Sequence, residues 1–252
     1  MRLDIEALHE SFRAAREGKR SRHARSDRLT PSLFQYDYLT LSRLRDDVRG
    51  LLAQVPAGGG RALDLGCENS PYHAPLVERG FEVETLDIEK SSADYVGTAE
   101  ETGLPSASFD LVLCTQVLEH CDAPWRAVAE IHRILKPGGH CIVSVPHVWF
   151  FHPHPKDHWR FTQEGIVRLC EEGRLQPVVL MAQGGTGLAA AQVASFLAYG
   201  VFGRYGAPLY LLLNLLGALG DRLVRNDLFC VNFAVLARRQ DQPGRLTDQG
   251  EP

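Results

Sequence analysis

A chain of 252 residues, 44% of them apolar, is long enough to bury one sizeable core and suits one domain with additions. Its formal net charge of −4 gives no overall positive field to recruit nucleic acid. Charged residues directly after Met1 argue against a signal peptide, and six scattered cysteines with no Cys-x-x-Cys pair read as reduced thiols of a cytosolic protein rather than a disulfide framework.

In chain order, residues 1–32 are charged and helix-compatible, and the basic run from Arg13 to Arg28 reads as a solvated helix. Leu39, Leu41, Leu44, Val48, Leu51 and Leu52 then approximate one helical face, which Pro56-Ala-Gly-Gly-Gly60 ends. This predicts an N-terminal helical segment over 1–56, with its second helix packed against a sheet edge. Tyr36 and Tyr38 either line the active site or are packing aromatics.

From residue 57 to 239 the pattern alternates. Strands are predicted at 61–65, 82–86, 109–114, 140–145 and 176–181, and helices at 71–79, 123–135 and 162–172. Such alternation specifies an α/β fold, a mostly parallel, doubly wound sheet with helices on both faces. Asp122 is the predicted N-cap of the 123–135 helix, with Pro124 in its first turn. Val128, Ile131, Ile134 and Leu135 form its buried side, and Lys136-Pro-Gly-Gly139 stops it. Leu188 to Gly220 carries one charge, Arg204, and divides about Arg204-Tyr-Gly-Ala-Pro208 into two short apolar helices. Neither reaches the ~20 apolar residues of a spanning helix. This insertion either packs on the domain, forms a dimer interface, or makes a membrane-facing hairpin or channel for a lipid-linked substrate. Asp221 to Arg225 is its polar boundary, Leu228 to Ala237 is the last strand, and residues 240–252 form a polar tail expected to be disordered.

The chemistry starts at Ala62-Leu-Asp-Leu-Gly-Cys-Glu-Asn-Ser-Pro-Tyr72, a buried strand that breaks at Gly66 and turns into a helix. A turn of this kind faces backbone N–H groups and a helix N-terminus toward a ligand at the carboxyl edge of a sheet. Asp64, near the strand end, is placed to take an ammonium group. Roughly twenty residues on, the next strand ends in Asp87, beside the first turn, where a carboxylate accepts from both ribose hydroxyls. A dinucleotide-binding dehydrogenase would carry the fuller Gly-x-Gly-x-x-Gly turn, and only Gly66 is present.

These blocks continue through Thr98-Ala-Glu100, Leu104-Pro105, Phe109 to His120, Ile134 to Gly139 and Cys141 to Pro146. The ordered series from Arg61 to Arg174 resembles the class I S-adenosylmethionine-dependent methyltransferases of the type 11 group. That resemblance implies a seven-stranded sheet with an antiparallel last strand and S-adenosylmethionine as cofactor. It assigns Asp64 and Gly66 to the amino-acid part of the cofactor, and Asp87 with Ile88 to the ribose. Ala99 and Glu100 fall beside the adenine, where Thr98 replaces the usual acid, and Thr115 and Gln116 face the methionine end. Glu68 stands where family members carry glycine. Asn69-Ser-Pro-Tyr72 and Asp157-His-Trp-Arg-Phe-Thr162 are similar to members from surface polysaccharide and glycolipid pathways, which implies a glycan or lipid-linked acceptor and a cytoplasmic protein with peripheral membrane contact. A quinone, phenol or polyketide methyltransferase would share every cofactor residue named, and a non-catalytic binding module would keep the fold. An oligomer is compatible with either.

Four histidines, His147, His152, His154 and His158, follow the fifth strand. His152-x-His154-x3-His158 has the look of a metal site, but Pro153 and Pro155 extend the backbone, no cysteine is near, and Asp157 is the only acid in the run. No metal is expected. The run reads instead as a substrate loop in which His158 or His147 removes a proton from the acceptor, or else ties the loop by hydrogen bonds. Trp159 and Arg160 are placed toward substrate. Arg160 pairs with an acceptor phosphate or carboxylate, or with Asp157 or Glu164 inside the loop. His120 is expected to shape the pocket and not to act as base.

Overall fold

A computed structural model of the protein describes residues 28–89, 93–152, 155–223 and 226–240. The expectations for residues 1–27, His154, Arg225 and the tail beyond 240 lie outside the described residues. Seven strands form one sheet: β1 (Gly60–Leu65), β2 (Phe81–Asp87), β3 (Tyr95–Val96), β4 (Phe109–Thr115), β5 (Leu135–Pro146), β6 (Leu175–Gln183) and β7 (Asn232–Arg239). Their order is β3-β2-β1-β4-β5-β7-β6, and only β7 runs antiparallel to its neighbours. The helices are α1 (Tyr38–Gln54), α2 (His73–Glu78), α3 (Pro124–Ile134), α4 (Gln163–Glu172), α5 (Thr186–Phe202) and α6 (Ala207–Leu223). The strand order reverses between β1 and β4, so the loops after β1, β2, β4 and β5 share one carboxyl edge, where such sheets bind ligands.

Period-two alternation divides the core into two layers. Ala62, Leu111, Leu113, Ile142, Ala234 and Leu236 face one way, onto Leu44, Val48, Leu51 and Leu52 of α1. Leu63, Val112, Cys114, Val143 and Val235 face the other way, onto Val128, Ile131 and Ile134 of α3 and Ile166 and Cys170 of α4. Helix α1 therefore lies over the β6 edge of the sheet, as expected, and its apolar stripe extends onto the face of β7 and β5. All six cysteines are buried and free.

Two local expectations are corrected. The N-cap of α3 is Ala123, not Asp122, and the Ala123 N–H donates to Glu100 Oε1 at 2.8 Å. Asp122 is turned to solvent, 3.2 Å from His158 Nε2. The two-residue strand β3 was absent from the predicted elements. It is too short for any periodic pattern and exists through its pairing with Leu86 and Asp87.

Helices α5 and α6 form a hairpin about a short 3₁₀ turn, Gly203–Gly206. They run antiparallel in close contact, because a Cβ on Gly187 would meet the Gly220 carbonyl carbon at 2.6 Å and one on Gly217 would meet Ala191 Cβ at 2.6 Å. Their burial is inverted relative to a water-facing helix pair. Gln192, Ser195 and Asn214 are buried, whereas Leu197, Val201, Leu212, Leu215, Leu216, Leu219 and Leu223 are each more than half exposed. The buried amides grip the chain ahead of α1: Gln192 Nε2 donates to Tyr36 O at 2.8 Å, and Asn214 Nδ2 donates to Leu33 O and Gln35 O at 2.8 Å. Tyr36 stacks on Tyr199 at 4.1 Å, which makes it a packing aromatic of this junction.

Candidate active site

The turn after β1 is built around Gly66, with φ of 72°; a Cβ there would lie 2.4 Å from Val117 Cγ2. Only glycine allows the β1 and β4 loops to approach this closely. Glu68 and Ser70 also hold left-handed backbone, at φ of 48° and 46°. The Glu68 position thus keeps a glycine-like conformation although it carries a side chain, which pairs with Arg28 at 2.8 Å. Asp64 is buried and accepts from Ser70 Oγ–H at 2.7 Å. Burial pushes its carboxyl up to about 6, against the opposing pull of the Ser70 hydrogen bond and Arg28. A cationic ligand group at that position would replace the missing countercharge.

Asp87 ends β2 beside this turn. Its Oδ2 accepts from the Glu68 N–H at 2.7 Å and its Oδ1 from the Glu89 N–H at 3.2 Å, so the backbone fixes the carboxylate at the carboxyl edge. Ile88 next to it is 55% exposed, an apolar surface available to a flat ring. Ala99 is buried nearby in sequence, in the turn closed by the Thr98–Glu101 bridge. Glu100 Oε1 accepts from the Ala123 N–H at 2.8 Å and so holds the start of α3. Thr115 is buried at the end of β4. Gln116, at φ of 56°, donates from Nε2 to Ser144 Oγ at 3.0 Å, and Ser144 Oγ–H donates to Gln183 Oε1 at 2.8 Å. The predicted cofactor residues from β1, β2 and β4 therefore meet at one edge. A turn opened by Gly66, a fixed carboxylate beside an exposed isoleucine and a buried acid for an ammonium fit S-adenosylmethionine.

The loop after β5 folds back onto the end of β4. The N–H groups of His158 and Trp159 donate to Glu119 O at 2.8 and 3.2 Å. His147 donates from Nδ1 to Phe161 O at 2.9 Å, since a carbonyl only accepts, and this leaves Nε2 as the proton-accepting nitrogen. His158 is exposed, with Nε2 3.2 Å from Asp122 Oδ1. Trp159 Nε1–H donates to Cys121 O at 2.8 Å, and its ring meets Trp125 edge-on at 6.0 Å. Arg160 is bidentate to Asp157, at 2.5 and 2.7 Å, and donates further to Phe150 O and Trp159 O at 2.8 Å. These bonds hold the guanidinium within the loop, the second of its two predicted uses. Phe150 of this loop stacks on Phe196 of α5 at 3.5 Å and ties it to the hairpin.

Sequence reasoning passed over Glu119. It is buried at the end of the β4 loop, its carboxyl pushed up to about 8 by burial, and its Oε2 has no hydrogen-bond partner among the described residues. His120 beside it donates from Nδ1 to Lys156 O at 2.7 Å, and burial lowers its ring to about 4. Adjacency to His120 was the available signal, but an acid after a strand does not reveal that it turns inward. An open depression of about 380 Å³, lined by Glu164, Val167, Arg168 and Leu180, lies against α4 and β6, away from this edge.

Residues 63–143 match the family described as "Methyltransferase domain". An uncharacterized methyltransferase of Mycobacterium tuberculosis is 38% identical over 96 residues, covering 34% of this chain and 39% of that protein. A ubiquinone biosynthesis O-methyltransferase of Cereibacter sphaeroides is 31% identical over 123 residues, covering 43% of this chain and 50% of that protein. The chain spans half or less of the length of these curated relatives. The fold is that of solved methyltransferases: the 1,6-didemethyltoxoflavin-N1-methyltransferase of Burkholderia thailandensis, solved with S-adenosylhomocysteine, superposes with a TM-score of 0.55 at 18% identity over 79% of each chain. Residues 63–143 thus match a methyltransferase domain, and they lie within a seven-stranded sheet of the class I methyltransferase fold.

Proposed function

We propose that this protein transfers a methyl group from S-adenosylmethionine to a hydroxyl of a lipid-linked saccharide, at a membrane surface on the cytoplasmic side. The observation that carries the choice of acceptor is the inside-out hairpin, with amides buried and a stripe of leucines exposed. A contiguous apolar face of this kind marks a surface for lipid or another apolar partner. Each 17-residue helix is about 26 Å long, short of the ~30 Å hydrocarbon core, so the hairpin lies in the interface rather than spanning. The stack of Phe150 on Phe196 joins that surface to the loop beside the cofactor edge, a route by which a headgroup reaches the site while its tail stays in lipid.

S-adenosylmethionine supplies its own sulfonium leaving group, so the protein need not activate the methyl. The chain must hold an acceptor oxygen in line, exclude water and take up the hydroxyl proton. The imidazoles assigned to that proton in this reading are His147, anchored through Nδ1 at the end of β5, and His158, paired with Asp122. Methylation of a small phenolic or quinone precursor is the second reading, supported by the Cereibacter sphaeroides relative, by name an O-methyltransferase of ubiquinone biosynthesis. Incubating the protein with methyl-labelled S-adenosylmethionine, bacterial membrane extract and, separately, soluble phenols decides between them. Label in saccharide-bearing lipid supports the proposal, and label in the phenols alone refutes it.

A further inference from the structure

We propose that Glu119, His120 and His152 form a binding site for one divalent transition-metal ion of the zinc class. One ligand atom from each of the three lies within 4.8 Å of the other two. Three features make this a built site and not a chance meeting. First, both rings are oriented by their far nitrogen. His120 Nδ1–H donates to Lys156 O at 2.7 Å, and His152 Nδ1 lies 3.1 Å from Phe150 O and 3.2 Å from Asp157 Oδ2. Metal-binding imidazoles are held this way, with a carbonyl or carboxylate fixing the tautomer and the other nitrogen's lone pair left for the ion. Second, Glu119 is 1% exposed and its Oε2 has no hydrogen-bond partner among the described residues, which leaves a buried acceptor oxygen for a cation. Third, the spacing is close to what coordination needs. Ligand atoms at about 2.0–2.2 Å from a tetrahedral ion are roughly 3.4 Å apart, and Glu119 Oε1 is already 3.8 Å from His120 Nε2.

The grouping differs from the one suggested by His152-x-His154-x3-His158. His158 is turned to Asp122, and His152 instead meets the segment after β4, its ring 5.1 Å from that of His120. Two imidazoles and one carboxylate suit zinc, iron or cobalt and leave a coordination position open. Resting on the methyl-transfer reading, that position is where an acceptor hydroxyl would bind and lose its proton more readily.

The test reads metal directly and does not depend on turnover. Protein stripped with chelator is titrated with Zn²⁺ by calorimetry and with Co²⁺ by visible absorption, and S-adenosylhomocysteine binding is measured alongside as a check on the fold. One ion per chain is expected, with the visible bands of a low-coordinate cobalt site. His152→Ala and Glu119→Gln should each weaken binding at least tenfold, whereas His73→Ala, at an exposed histidine of α2, should leave it unchanged. If Glu119→Gln does not fold, His152→Ala on the half-buried loop decides. The absence of a stoichiometric ion in wild type, or binding that His152→Ala leaves unchanged, overturns the proposal. Metal binding without methyl transfer would instead leave the site standing and remove its proposed role.

Discussion

Asp64 is where the residue chemistry is most exposed to test. Burial raises its carboxyl from 3.8 to about 6. The folded state therefore binds this proton more tightly than the unfolded chain. The stability Asp64 contributes is full below pH 3.8 and is lost as pH rises through about 6. The loss is on the order of 3 kcal/mol. Asp64→Asn should flatten the fall in Tm between about pH 4 and pH 6, a difference that thermal melts of the two proteins will show. The same titration runs the other way for the cofactor. An ammonium group needs the ionised carboxylate, so affinity for S-adenosylmethionine should drop up to tenfold per unit below about pH 6; a pH-independent affinity would remove Asp64 from the site. For the two imidazoles, loss of the general base costs about 10²–10⁴-fold in rate. Either His147→Ala or His158→Ala should fall in that range with S-adenosylhomocysteine affinity held, and full turnover in both would place proton removal elsewhere. Gly66 and Asp87 were legible in the sequence because the turn and the strand end need those residue types. The Glu100 contact was not, and Arg160 was readable only as a choice between an anion and a loop acid, since a charged side chain's partner depends on loops that meet only in three dimensions: Glu100 reaches Ala123 and Arg160 reaches Asp157.

Among the elements, the hairpin makes the sharpest claim. Its two helices and their break were readable from an apolar stretch interrupted at Arg204 to Pro208, and the structure places the turn at Gly203–Gly206. Which face turns outward was not readable. Nearly every side chain is apolar, so no polar stripe marks a water side, and the few amides bury themselves on the chain ahead of α1. Leu212 and Leu216 lie one turn apart on the outer side of α6, 53% and 54% exposed. Changing both to aspartate should leave the fold and S-adenosylhomocysteine binding intact and abolish flotation with anionic liposomes. Retained flotation would move the lipid contact elsewhere, and a wild-type dimer dispersed by the double variant would make this face a subunit interface.

For the molecule as a whole, the doubly wound sheet followed from the alternation of strand and helix signals, each carried by its own periodicity. The antiparallel insertion of β7 between β5 and β6 came from the family resemblance, because pairing partners leave no mark in one strand's pattern. That topology gathers Gly66, Asp87, Gln116 and the loop after β5 at one edge, and the account stands on that edge being a cofactor site. Titration calorimetry of S-adenosylmethionine into wild type and Asp87→Ala tests it most directly. Wild type should bind one equivalent. Asp87→Ala, folded but without charge-assisted bonds worth about 1.5–3 kcal/mol each, should bind at least tenfold more weakly. No heat of binding from wild type, or equal affinity in the two proteins, would contradict it.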